Sequence, residues 1–90
     1  MAAIRFPLGQ TVITQGALAA LTTKDFATAL RRHSSCDWGD VCPEDAQLND
    51  AALHDGTRLF SVYTSSDGTR FWVITEADRS VTTLLLPSEY

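Results

Sequence analysis

Phe71-Trp72-Val73-Ile74-Thr75-Glu76-Ala77-Asp78-Arg79-Ser80-Val81-Thr82-Thr83-Leu84-Leu85-Leu86 is the stretch from which the fold can be read. Two runs of β-branched, aromatic and aliphatic residues flank a five-residue polar break, Glu76 to Ser80. Such runs suit a pleated, half-buried surface, and the break reads as a hairpin connection. Upstream, Leu59-Phe60-Ser61-Val62-Tyr63-Thr64 ends in Ser65-Ser66-Asp67-Gly68, where Asp-Gly supplies the positive φ of a tight turn. The expectation is a three-stranded antiparallel meander over 58–64, 70–76 and 80–86.

Helical patterns precede these strands. Residues 4–13 read as an irregular arm with a short strand near Thr11-Val12-Ile13. Thr14 is a candidate N-cap for a short helix through Ala17-Leu18-Ala19-Ala20-Leu21. A second helix is expected from Lys24 to about Ser34, with Phe26, Ala29, Leu30 and a half-buried His33 on one face and Arg31 and Arg32 in its last turn. Pro43 opens a third helix, Glu44 and Asp45 suit its N-terminus, and Gly56 stops it. Leu48, Ala52 and Leu53 are expected to face inward, and Glu44, Asp45, Asp50 and Asp55 outward. Helices followed by strands, without βαβ alternation, make the class α+β, a meander packed against two or three short helices.

The 90 residues form one domain, 1–90, able to bury roughly 65% of its unfolded surface. No apolar run approaches the roughly 18 residues of a membrane span, and Met1-Ala2-Ala3-Ile4-Arg5-Phe6-Pro7 lacks the apolar core of a leader. A cytoplasmic setting is the default expectation, with Cys36 and Cys42 as reduced thiols.

Charge is distributed unevenly. Between Arg32 and Arg58 lie six of the eleven acidic residues, Asp37, Asp40, Glu44, Asp45, Asp50 and Asp55, and no Lys or Arg. That window carries about −6, while the rest of the chain is close to neutral. A net charge of −4 argues against a general nucleic-acid binder. A single-sign field attracts cationic surfaces and repels phosphate, although a run of acids is also what a solvated helix face looks like.

Candidate chemistry is sparse. His33, Cys36, Cys42 and His54 are spaced unlike a zinc site, so no metal and no cofactor is expected. Cys36 beside His33 and Asp37 has no accompanying oxyanion-hole pattern, and no phosphate loop or paired-carboxylate signature occurs, so no catalytic residue is assigned. An enzyme using His33, Glu76 and Asp78 would have no motif behind it. Asp37-Trp38-Gly39-Asp40 is the most unusual tetrapeptide, its Trp either a core plug or an exposed anchor. Arg79 is expected to pair with a carboxylate, Asp37 or Asp40.

Phe6-Pro7-Leu8-Gly9-Gln10-Thr11-Val12-Ile13-Thr14, Gly16-Ala17-Leu18-Ala19-Ala20-Leu21, His33, Asp37-Trp38-Gly39-Asp40, Asn49 and the run Trp72 to Pro87 resemble a family of small plasmid and conjugative-element proteins. Members are labelled plasmid-related protein or type I restriction endonuclease subunit M. The resemblance covers nearly the whole chain, with Cys36 where it leads one to expect Gly. A methylating subunit would need a cofactor fold far larger than 90 residues. What the resemblance implies is a mobile-element setting, in which small accessory proteins disarm host defences.

The functional expectation is a non-enzymatic inhibitor of a host nucleic-acid-targeting complex, of anti-CRISPR or antirestriction type. Its partner would be a protein or ribonucleoprotein with a basic surface, met by Asp37, Trp38, Asp40, Glu44, Asp45, Asp50, Asp55, Glu76, Asp78 and Arg79. No direct contact with nucleic acid or membrane is expected. The alternative is a small regulatory or assembly module of a plasmid, acting through a protein partner or as a homodimer joined through an open sheet edge; the chain itself is expected to be a monomer or a homodimer.

Overall fold

A computed structural model describes residues 4–90; Met1 to Ala3, part of the stretch read above as lacking a leader, lie outside the described residues. The elements run β1 (Gln10–Ile13), α1 (Gln15–Ala20), α2 (Thr23–Ser34), α3 (Pro43–Asp55), β2 (Leu59–Thr64), β3 (Arg70–Thr75) and β4 (Val81–Leu85), closing on a 3-10 turn, Pro87–Glu89. The α+β class stands and the meander β2-β3-β4 is present, but the sheet has four strands in the order β1-β4-β3-β2. The extra strand, β1, pairs parallel to β4 with Gln10 opposite Val81 and Ile13 opposite Leu84. The purely antiparallel expectation is therefore corrected to a mixed sheet, because the arm adds to its free edge.

Local signals place the ends of the elements. Thr14 caps α1 through the Ala17 N–H, and Thr22 caps α2 in a reciprocal box with Asp25. Pro43 occupies the first turn of α3, and Gly56 ends it at φ 72°. The last turn of α2 closes in a Schellman motif: the Cys36 N–H reaches the His33 carbonyl and the Asp37 N–H the Arg32 carbonyl. That motif puts Cys36 at φ 68°, the left-handed conformation glycine favours.

All three helices cover one face of the sheet. Ala17, Leu21 and Ala29 pack with Tyr63, Phe71, Val73 and Leu84, while Phe6, Trp38 and Ala52 form a second cluster around Leu59. Alternation turns Phe71 inward and its neighbour Trp72 to the opposite face. On α3 the inward positions are Ala46, Asn49, Ala52 and Leu53, whereas Leu48, expected inside, is 67% exposed. Buried Asn49 takes that role for a polar reason. Its amide nitrogen donates to the Phe60 carbonyl at 2.6 Å and its oxygen accepts the Phe60 N–H at 3.0 Å, satisfying the outer edge of β2.

Candidate functional site

The Asp37-Trp38-Gly39-Asp40 tetrapeptide closes the same edge. The Val62 N–H donates to the Trp38 carbonyl at 3.1 Å and the Asp40 N–H to the Val62 carbonyl at 2.8 Å, a short parallel bridge alongside β2. Gly39 permits it: φ is 74°, and a Cβ there would sit 2.0 Å from the Val62 carbonyl oxygen. Trp38 is 6% exposed and stacks near Phe6, and its indole N–H donates to Asp50 Oδ1 at 3.1 Å. It is a core plug, and as a partner-contacting residue it is corrected: the ring has no free face to offer.

The acids of the 33–57 window divide into two groups. Asp37 forms a forked pair with Arg32, at 2.7 and 3.2 Å, and accepts the Gly39 N–H. The Arg32 guanidinium is the main cause holding the Asp37 carboxyl below the usual range. Asp40 takes Thr64 Oγ1 at 3.3 Å and lies 4.0 Å from Arg70. By contrast, Glu44, Asp45, Asp50 and Asp55 on α3 make no ion pair among the described residues. Asp50 is tied to Trp38, and Glu44 and Asp45 sit in the first turn, where the helix dipole favours them.

These four do not form one patch. At about 100° per residue, Glu44 and Asp55 fall on the outermost stripe with Leu48 and Ala51 between them, while Asp45 and Asp50 flank the helix on opposite sides. Leu48, Ala51, Asp55, Thr57, Arg58 and Ala77 line an open groove beside α3.

The hairpin residues serve the turn. Glu76 pairs with Arg58 at 3.3 Å, and Asp78 accepts from the N–H and hydroxyl of Ser80 at 3.0 and 2.6 Å. Those donors hold the Asp78 carboxyl below its ordinary value. Arg79 pairs with neither Asp37 nor Asp40, which corrects that expectation. Its guanidinium donates to the carbonyls of Ala52 at 2.9 Å, Thr57 at 2.6 Å and Glu76 at 3.1 Å. Of the three, only Ala52 belongs to α3, where its carbonyl also accepts the Gly56 N–H; the planar cation ties that helix end to the Thr57 and Glu76 carbonyls of the adjoining loops.

His33 is fully buried, not half-buried, and stands at the centre of a polar relay that sequence reasoning missed. Thr82 Oγ1 donates to the Leu8 carbonyl at 2.7 Å, Thr75 and Thr82 hydroxyls lie 2.7 Å apart, His33 Nε2 is 2.9 Å from Thr75 Oγ1, and Nδ1 is 2.6 Å from Ser61 Oγ. Each hydroxyl has one proton, so the direction is fixed from the carbonyl backwards. Thr82 donates to Leu8, Thr75 to Thr82, the His33 Nε2–H to Thr75, and Ser61 to Nδ1. Phe6 and Trp38 close around the ring at 5.2 and 5.6 Å. Burial, with the Arg79 charge nearby, pushes the imidazole down to about 4, so it is neutral at pH 7. It has no opening to solvent through which to act as a base on a bound molecule. A period-2 pattern with Ser61, Thr75 and Thr82 on the inward face was the available signal.

Cys36 and Cys42 are free thiols, and burial pushes the Cys36 thiol up, away from the reactive thiolate. Among the described residues, no three His, Cys, Asp or Glu side chains converge as metal ligands would, and no helix is long and apolar enough to cross a membrane. Comparison with family models, with curated proteins and with solved structures returned no match. The likeness to plasmid proteins thus stands on the quoted motifs alone.

Proposed function

We propose that the chain is a non-enzymatic accessory protein of a mobile element that inhibits a host nucleic-acid-targeting complex, of CRISPR or restriction type. The acidic side chains of α3 occupy a Lys- and Arg-lined channel on that complex and compete there with phosphate. One observation carries this reading: Glu44, Asp45, Asp50 and Asp55 have no cationic partner among the described residues, whereas Asp37, Asp40 and Glu76 are already paired with arginines. The contact surface therefore contracts from the ten residues read in the sequence to the outer and flanking positions of α3. Asp37, Asp40, Glu76, Asp78 and Arg79 keep the surface in shape.

The test is phage plaquing in hosts that carry different defence systems, with and without this protein. Expected is rescue of plaquing against one system, lost when Glu44, Asp45, Asp50 and Asp55 are together replaced by Gln or Asn. Binding to the complex so identified should weaken steeply between about 50 and 500 mM salt, as the screening length falls from roughly 14 to 4 Å. Full activity in the four-site variant, with affinity indifferent to salt, would sink the proposal.

A further inference from the structure

Helices cover only one face of the sheet. On the other, the register sets Phe60 beside Ile74 and lines up Val62, Trp72 and Leu85 in the next row. A sheet with one face in water is normally polar on that face. Here Val62, Ile74 and Leu85 are buried, and part of what lies over them is the chain's own segment 87–90. The Tyr90 ring meets Trp72 edge to face at 5.6 Å, and Trp72 meets Phe60 in the same way at 5.1 Å. Arg58, Phe60, Trp72, Ile74 and Tyr90 line a cavity of about 260 Å³ between segment and sheet.

Two adjacent side chains hold the segment down. Glu89 Oε1 accepts the Thr14 hydroxyl at 2.6 Å and the Leu86 N–H at 2.9 Å, while Oε2 accepts the Gly16 N–H at 3.0 Å. The Thr14 hydroxyl is the main cause holding the Glu89 carboxyl below its ordinary value. Arg58 Nη1 donates to the Tyr90 hydroxyl at 3.1 Å. All these bonds lie at the surface, and residues 87–90 are all exposed, Tyr90 to 70%. Leu86, by contrast, packs against the inner cluster of Phe71, Val73 and Leu84, and Pro87 follows it with a fixed φ. The segment is therefore rooted at Leu86 and held beyond it only by exposed hydrogen bonds and one ring. Local opening is cheapest where little apolar surface is buried and the hydrogen bonds reach solvent.

We propose that residues 87–90 form a latch that opens at Leu86–Pro87 while the sheet stays folded, uncovering Phe60, Trp72 and Ile74. Glu89 is the clasp, tying the end of β4 to the first turn of α1. Tyr90 is the cover. Because clasp and cover are neighbours in the chain, loss of the three bonds to Glu89 frees the ring over Trp72. The open form is the minor one, populated on the order of 1–10% for exposed hydrogen bonds of this kind. The inference does not rest on the acidic α3 reading.

Native-state hydrogen exchange of the full chain tests it, because the Gly16 and Leu86 amides are both held by Glu89. They should exchange about a hundredfold faster than the amides of Val73 and Leu84, at a rate that sub-denaturing urea leaves unchanged, since opening the latch exposes little surface. Glu89→Ala should raise acrylamide quenching of Trp72 fluorescence about twofold as the cover leaves. Trp38, 6% exposed, stays out of the quencher's reach. Tyr90→Ser should raise quenching equally yet leave the Gly16 and Leu86 amides as protected as before, because the clasp is untouched. Amides of Gly16 and Leu86 that climb with urea in step with Val73 and Leu84 would make the segment part of the global unit and overturn the proposal. Quenching in Glu89→Ala equal to that of the unaltered chain would overturn it as well. Neither result bears on the plaquing assay.

Discussion

From His33 to Asp40 nearly every side chain is committed to the fold: His33 to the relay, Asp37 to Arg32, Trp38 to the core, Asp40 to Thr64 and the β2 edge. From Glu44 to Asp55 none of the acids makes an ion pair among the described residues, and Asp50 alone is tied to another element, through the Trp38 indole. The two stretches are neighbours of similar acidity and opposite use. Acidity in a sequence marks a surface only where the carboxylates lack partners. In a loop that must turn sharply and seal a sheet edge, the same residue type is building material.

The sharpest break of this contrast is Trp38→Ala. It empties the second apolar cluster and should cost roughly 3–5 kcal/mol, lowering Tm by more than about 10 °C in a chain of this size. A melt within a few degrees of wild type would mean the loop is surface after all.

Next is acid. His33 has its folded value depressed to about 4 from 6.5 by burial, so between these values the unfolded chain binds more protons than the native one. Its contribution is complete above pH 6.5 and is lost as pH falls towards 4, to the extent of roughly 3 kcal/mol at 1.36 kcal/mol per unit. Asp25 and Asp37 are also depressed, by the Thr22 backbone and by Arg32 respectively, and their loss comes only at lower pH, below 3.8. Urea midpoints at pH 7, 5.5 and 4.5 should therefore decline, and the His33 imidazole shifts in NMR should titrate well below 6.5. Flat midpoints across that interval would place His33 outside the core.

Cys36→Gly tests the loop from the other direction. At φ 68° a non-glycine residue is strained, and relief should stabilise the chain by about 1 kcal/mol. A loss of stability would show that the thiol packs to better effect than its backbone suffers. The smallest effect belongs to α3: Asp55→Asn should change stability by no more than about 0.5 kcal/mol. A larger change would reveal a partner for that carboxylate and erase the contrast between the stretches.

The meander and the helix ends were legible because turn chemistry is local: Asp67-Gly68, Pro43 and Gly56 each dictate a backbone conformation where they stand. The parallel docking of β1 on β4 was not, since four residues say nothing about a partner some 70 positions away. The exchange of roles between Leu48 and Asn49 was equally hidden. Hydrophobicity sends Leu inward, but the bare edge of β2 needed a side chain with both a donor and an acceptor. Arg79 defeated the pairing rule for a related reason, because three backbone carbonyls, from the end of α3, the segment after it and the hairpin, converge on its guanidinium in place of a carboxylate. Of the candidate site, the acidity was visible in advance, but which acids were already paired was a matter of three dimensions.

The one-way relay from Ser61 to the Leu8 carbonyl also constrains how this chain can drift. Every link spends its single proton on the next, so replacing Thr75 by Val would orphan both the His33 Nε2–H and the Thr82 acceptor at once. Even joint replacement of His33, Ser61, Thr75 and Thr82 by apolar groups of similar shape would leave one acceptor bare, because the relay ends on the Leu8 backbone carbonyl, which no substitution removes. These four positions, from 33 to 82, thus behave as a single heritable character, held together by an acceptor that stays whatever replaces them.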